Sequence, residues 1–286
     1  MTAPQNIVAV VFDFDDTLTD ETTTKLLEAH EIDAEEFWSK RNQSLLDRGW
    51  DPALSYLHLI LEEAKEGGRL DGLTNDKLGE FGKSLEFYPG IPELFADLND
   101  IASEHEVCHP VVEFYVVSSG LEAIIKGSGI AGHVQGIWGC TFEEQDGRIA
   151  LVKNAVSFTE KTKYLYAIHK GCLDIRTKPY SVNRRVHESE RRIPFHNMIY
   201  IGDGLTDVPC FSLLDRFGGA AFGVFDPRKE KSPKKAWEQL VAPRRVKTMN
   251  SPRYRRDDDL GALLRVAVSK ICQQMDVSQS SALGDQ

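Results

Sequence analysis

The chain contains no uninterrupted run of eighteen apolar residues, which excludes a conventional membrane-spanning helix. Its first residues, MTAPQN, carry neither the basic nor the apolar region that a secretory signal requires. The five cysteines (Cys108, Cys140, Cys172, Cys210, Cys272) are scattered, odd in number and form no CxxC pair. That pattern excludes a disulfide framework and a zinc site, and it implies reduced thiols in a cytoplasmic setting. Positive charge is also scarce, with 34 lysines and arginines against 44 acids and a net charge of −10. Such a balance disfavours general affinity for nucleic acid, so neither nucleic acid nor a membrane is expected as a partner. No internal repeat is present. What remains is 286 residues that are 41% hydrophobic and 27% charged, the composition of an ordinary soluble globule with one large domain or a domain carrying an insert.

The most informative segment begins with the apolar run Ile7-Val8-Ala9-Val10-Val11-Phe12, which leads directly into Asp13-Phe14-Asp15-Asp16-Thr17-Leu18. Three carboxylates beside a β-branched stretch are unfavourable unless something compensates their charge. Side chains alternate along a strand, so Asp13 and Asp15 share one side and could meet a cation or a phosphorylated ligand. A solvated acidic turn closing a core strand is the plainer alternative. A calcium loop fits poorly, because its required Gly and Glu positions hold Leu18 and Thr24.

Two further apolar runs end in polar groups. Phe114-Tyr115-Val116-Val117 leads into Ser118-Ser119-Gly120, and Met198-Ile199-Tyr200-Ile201 leads into Gly202-Asp203-Gly204-Leu205-Thr206-Asp207. Between them Lys161 precedes an apolar-periodic helix. Ligands of open α/β sheets bind outside the carboxyl ends of the strands, so a doubly wound parallel sheet would gather all four segments at one crevice.

This ordered set resembles the haloacid dehalogenase superfamily, specifically its phosphatase branch. Asp13-Phe14-Asp15-Asp16-Thr17 matches the first motif, Ser118 the second, Lys161 the third, and the Asp203 to Asp207 segment the fourth. The resemblance spans roughly residues 7 to 225 and implies an α/β core with a Rossmann-like parallel sheet. It implies Asp13 as nucleophile, forming an aspartyl-phosphate, and Asp15 as the acid and base that protonates the leaving alcohol and activates water. The superfamily's dehalogenases lack that second acid. By the same resemblance Asp13, Asp203 and the Asp15 carbonyl would hold Mg²⁺, while Ser118, Lys161 and Ser119 would bind the phosphate. Thr17 and Asp207 are supporting residues. Asp207 could orient the metal's water or Lys161, or be a plain acid at a helix start. Ser119 could replace Ser118 or simply cap a helix.

Between the first two motifs, helical periodicity covers Thr22 to His30, Ala34 to Leu46 and Pro52 to Leu61, the last with Asp51 at its N-cap and Pro52 at its first position. Residues 22–86 therefore read as a small helical cap inserted into a core of residues 1–21 and 87–276, with 277–286 as a flexible tail. Tyr88-Pro89-Gly90 marks re-entry into the core ahead of a helix from Ile91 to about Ile101. Gln145-Asp146-Gly147 is the expected turn of a hairpin. The cap resembles that of phosphoserine phosphatases, which place a Glu nine residues after the nucleophile. Here Thr22 occupies that place, and Glu21, one position off, is expected to face elsewhere.

Two segments are basic. Residues 176–192 contain Arg176, Lys178, Arg184, Arg185, Arg191 and Arg192 and read either as a flap for a distal anionic group or as a surface loop. Residues 228–256 hold eleven lysines and arginines against two acids, a solvated loop or a stretch that steers anions. The leading expectation is a Mg²⁺-dependent phosphatase acting on a small phosphate ester, one with extra negative charge and no free ammonium. A phosphotransferase or mutase of the same superfamily is the second, and a non-enzymatic ligand-binding protein on this fold the third.

Overall fold

The computed structural model describes residues 5–230 and 232–284. Strand β1 (Ile7–Phe12) is followed by a run of helices: α1 (Thr22–Ala29), α2 (Ala34–Glu36), α3 (Gln43–Asp47), α4 (Pro52–Glu63) and α5 (Asn75–Gly82). Helix α6 (Glu93–Ser103) leads into β2 (Val111–Leu121) and α7 (Glu122–Gly127). The hairpin β3 (Gly136–Gln145) and β4 (Arg148–Asn154) precedes α8 (Glu160–Lys170). The chain then forms β5 (Met198–Gly202), α9 (Val208–Arg216), β6 (Ala220–Val224), α10 (Ser232–Ala236), β7 (Met249–Asn250) and α11 (Asp259–Gly284).

The seven strands form one sheet in the order β4-β3-β2-β1-β5-β6-β7, parallel throughout except for the antiparallel β3–β4 pair. β1 lies between β2 and β5, and the chain builds outward from it first on one side and then on the other. This is the switch point at which an open α/β sheet leaves a crevice beyond its carboxyl ends. Both faces are covered. Val8, Val10 and Phe12 point to a cluster with Leu94, Phe95 and Leu98 of α6 and Leu260, Leu264 and Val268 of α11. Ala9 and Val11 point to the other, with Leu165 and Ile168 of α8 and Phe211 and Leu214 of α9. A strand buried on both faces needs apolar residues at every position, which is why β1 reads as an unbroken apolar run.

The helices between β1 and α6 share that second cluster: Leu26, Leu27, Phe37, Leu57, Ile60 and Leu78 are all buried in it. The expected single helix from Ala34 to Leu46 is instead α2 and α3 joined by a π-helical stretch, Phe37–Asn42. α4 starts as its sequence dictates, with the Asp51 carboxylate accepting from Ala53 N at 2.9 Å and Leu54 N at 3.1 Å. α6 begins two residues later than expected. The β3–β4 turn is the expected one, with Asp146 and Gly147 both at positive φ (51° and 74°), as a two-residue type I′ turn requires. Residues 277–284, read from sequence as a tail, continue α11 as helix, and residues 285–286 lie outside the described residues. No helix among the described residues is long and apolar enough to cross a membrane.

Candidate active site

Asp13 follows β1 directly, and its backbone N–H donates to Ile201 O at 2.8 Å, tying the first and fourth motifs together. Its carboxylate accepts from Phe14 N at 2.8 Å and lies 2.9 Å from Lys161 Nζ. Lys161 is wholly buried at the start of α8 and is also 2.6 Å from Asp207 Oδ1, with Thr206 Oγ1 at 3.3 Å. Burial alone would depress this ammonium, but Asp13 and Asp207 outweigh it and hold it above the ordinary lysine value. Burial raises the Asp13 carboxyl to about 7, with Asp207 adding to the rise and Lys161 opposing it.

Asp207 is more than a bare helix-start residue. Lys161, the Tyr200 hydroxyl (2.7 Å) and Gly204 N (3.0 Å) all donate to it, which ties it to Lys161. Gly202 permits this, because a Cβ there would collide with the Asp207 carboxylate. Tyr200 was legible in the sequence only as a core aromatic of β5; its hydroxyl contact depends on the chain turning back after Gly204.

Asp15 is held from one side. Thr22 donates to its Oδ1 through both backbone N (2.8 Å) and hydroxyl (2.7 Å). Burial, with Glu21 adding to it and Thr22 opposing, raises this carboxyl to about 7 as well. Its other oxygen lies over Gly120, where a Cβ would fall inside contact distance of Asp15 Oδ2 and 3.2 Å from Ser118 Oγ. Gly120→Ala should therefore displace the Asp15 carboxylate. We expect kcat to fall about 100-fold, the usual effect of a misplacement of about 1 Å, in a protein that still folds. Steady-state kinetics beside a thermal melt would check this, and wild-type turnover would refute it.

Ser118 is buried and accepts from Gly120 N at 2.9 Å, which leaves its hydroxyl proton free to donate. The Ser119 carbonyl accepts from the Tyr56 hydroxyl at 2.6 Å, and Ser119 Oγ has no hydrogen-bond partner among the described residues. Thr17 is buried with its own Oγ1 unpartnered among the described residues, and its carbonyl accepts from the Tyr254 hydroxyl at 2.7 Å. Asp203 accepts no hydrogen bond among the described residues. Burial pushes its carboxyl well above the ordinary value, opposed mainly by Lys235, 3.8 Å away. Carboxylate oxygens of Asp13, Asp203 and Asp207 lie within 4.8 Å of one another. An all-oxygen set fits a hard divalent cation, and the partly buried Asp203, which accepts no hydrogen bond among the described residues, is the member left free for it.

These groups open onto a cavity of about 230 Å³ lined by Asp13, Asp15, Ser118, Gly120 and Asp203, and also by Asp16, Glu21, Thr23, Trp38, Tyr56, Ser119 and Thr206. It is smaller than the ~300–1,000 Å³ typical of sites for drug-sized ligands. Two sequence expectations are corrected here. Glu21 does not face elsewhere: it caps α1, accepting from Thr23 N (3.1 Å) and Thr24 N (2.5 Å), and lines the cavity while Thr22 turns to Asp15. The basic segment 176–192 is not a flap over the site. Lys170, at the far end of α8 from Lys161 and about 13 Å along the helix, donates to Arg184 O. Arg192 pairs with Glu113, near the start of β2, and Arg176 with Glu122, while Gln5 ahead of β1 donates to Arg191 O.

The later basic stretch does reach the crevice. Lys229 pairs with Asp16 and lies 3.4 Å from Asp20, and Lys235 flanks Asp203. Sequence reasoning placed Thr22 towards substrate instead of Asp15, and gave no site contact to Gly120, Trp38, Tyr56, Tyr200, Thr206, Lys229 or Lys235. Gly120, closing the Ser-Ser-Gly strand end, was the one with a local signal.

No family model matches the chain. It is 31% identical over 237 residues to an uncharacterized protein of Borreliella burgdorferi, covering 75% of this chain and 81% of that one. A HAD family hydrolase from Salmonella enterica serovar Typhi superimposes with a TM-score of 0.58 at 14% identity, over 92% of this chain and 72% of that one. A substrate-bound phosphoserine phosphatase gives 0.54 at 13% identity (91% and 97%). A phospho-aspartyl intermediate analogue of phosphoserine phosphatase gives 0.52 at 15% (91% and 98%). At these identities the likeness to solved structures is one of fold. The chain belongs to one family with the Borreliella protein, and its fold is the α/β fold of the haloacid dehalogenase hydrolases.

Proposed function

We propose that the protein is a phosphatase that hydrolyses a small phosphate monoester through a phosphorylated Asp13. The observation that carries this reading is the placement of the Asp13 carboxylate in a small crevice, 2.9 Å from a buried lysine, with a second acid two residues on. The fold neighbour solved as a phospho-aspartyl analogue supports the same chemistry. Phosphate esters resist attack because they are anionic, so the site must supply positive charge and hydrogen-bond donors where negative charge develops. Lys161 supplies charge beneath the floor, and Ser118 presents a free hydroxyl. Asp13 attacks phosphorus, and the departing alcohol takes the proton of Asp15, whose raised pKa keeps a protonated fraction near neutrality. Water then attacks the aspartyl-phosphate, Asp15 accepts its proton, and inorganic phosphate leaves with the Asp13 carboxylate restored.

Asp13, Asp203 and the Asp15 carbonyl would hold Mg²⁺, which when bound supplies charge stabilisation to the phosphoryl oxygens. Chelation should remove turnover of p-nitrophenyl phosphate, and re-adding Mg²⁺ should restore it and raise the unfolding temperature. Full turnover after exhaustive chelation would overturn the metal requirement. The helices of residues 22–86 act as a cap in this reading, since Trp38 and Tyr56 form a wall of the cavity, exclude water and face the leaving group.

The corrected placement of the basic segment changes the expected substrate. The Arg184–Arg185 pair is remote, Arg176 is taken up by Glu122, and no residue of 176–192 lines the cavity. A cytoplasmic location and the absence of nucleic-acid and membrane partners belong to the same proposal. Phosphoenzyme trapping with a radiolabelled ester tests the core of it, and failure to detect acid-stable, hydroxylamine-labile label in any variant would count against it.

A further inference from the structure

The leaving-group end of the cavity has a composition of its own. Trp38 and Tyr56 stand side by side there, ring centroids 5.9 Å apart. The Trp38 indole N–H donates to Thr24 Oγ1 at 2.9 Å, and Thr24 N in turn donates to Glu21, so the carboxylate and the two rings form one contiguous wall. Glu21 forms no ion pair among the described residues, and burial raises its carboxyl above the ordinary value. Among the described residues, no lysine or arginine lines the cavity. Lys161 is sealed beneath it, and Lys229 is taken up by Asp16 and Asp20.

An aromatic pair beside a carboxylate that is held only by two backbone N–H groups, with no cation among the described residues, suits a cation. Ring faces attract ammonium groups, quaternary ones included, and a half-buried carboxylate gains most from a partner that brings positive charge. A second anion on the alcohol would face Glu21 and Asp15 with no counter-charge among the described residues that line the cavity, since Lys235 lies on the Asp203 side. We propose, resting on the phosphatase reading above, that the substrate is the phosphate monoester of a small alcohol that bears an ammonium group and no second anionic group. Phosphate sits towards Asp13 and Ser118, and the ammonium sits against Glu21, Trp38 and Tyr56.

The test compares choline phosphate and ethanolamine phosphate with glycerol 3-phosphate and phosphoserine, using p-nitrophenyl phosphate as reference. We expect kcat/KM for the two ammonium esters to exceed that for glycerol 3-phosphate by about 10-fold or more, the scale of a desolvated cation–aromatic contact. Phosphoserine should fall below ethanolamine phosphate. Glu21→Gln and Trp38→Leu should collapse the preference, and Trp38→Phe should keep most of it. Hydrolysis of the reference ester with no preference among the others, or with phosphoserine favoured, overturns this proposal and leaves the phosphatase reading standing. If no ester is hydrolysed, the phosphatase reading falls. Calorimetric binding to the Asp13→Asn variant then decides the cation site: choline phosphate binding about 10-fold tighter than glycerol 3-phosphate supports it, and equal binding overturns it.

Discussion

Replacing Asp13 by Asn should abolish turnover while leaving the fold intact. The amide has nearly the shape of the carboxylate and is a poor nucleophile, so attack on phosphorus has no substitute. We expect kcat to fall by roughly four orders of magnitude or more, as on loss of other catalytic nucleophiles. Stability should not suffer. The wild-type carboxyl is raised to about 7 by burial, so ionising it already costs the folded protein free energy that an amide avoids. Lys161 keeps Asp207 as a partner in the variant. Asp15→Asn should behave differently, permitting some attack but slowing the water step, so that phosphoenzyme accumulates. Label retained by Asp15→Asn and absent from Asp13→Asn is the expected pattern. Equal activity of both variants would refute the assigned roles.

The second large effect concerns Lys161. Its ammonium is the buried counter-charge of Asp13 and Asp207, within 2.9 Å of both. Lys161→Met would leave two buried carboxylates facing each other. Breaking such a cluster by removing one partner costs about 3–5 kcal/mol, and activity should be lost with it. The cost should depend on pH. Lys161 lowers the Asp13 pKa, so its removal moves that carboxyl above the value of about 7 it has in the intact site. The unfolded chain ionises near the ordinary 3.8, so between that value and the raised one the folded state binds more protons than the unfolded state. Stability of the variant must then fall as pH rises across this window, more steeply than in the wild type. Urea melts at pH 5 and pH 8 in the presence of chelator would measure it. A variant as stable as wild type at pH 8 would show that Lys161 is not the counter-charge the geometry makes it.

Much of this protein was determined locally and could be read from the chain alone. An unbroken apolar run ending in Asp13, another ending in Ser118 and a third ending in Asp203 specify buried parallel strands, because only strands covered on both faces need apolar residues at every position. Asp51-Pro52 set the start of α4, and Asp146-Gly147 set the hairpin, since each acts through its own backbone and its nearest neighbours. The position of Glu21 did not follow from spacing. Counting residues from Asp13 put Thr22 at the substrate-facing place, but the turn after Asp16, at positive φ, and the start of α1 direct Thr22 onto Asp15 and leave Glu21 against the cavity. The two basic stretches look alike as strings of charge. Charge carries no address, and only the path of the backbone separates them: α8 carries the chain about 13 Å away from Lys161 before residues 176–192 begin, whereas the turn after β6 brings Lys229 back to Asp16. The pairing of Lys161 with Asp13 and Asp207 is likewise tertiary. Three residues far apart in sequence become one buried ion cluster because β1, β5 and α8 converge at the same end of the sheet, where solvent is excluded and each charge depends on the other two.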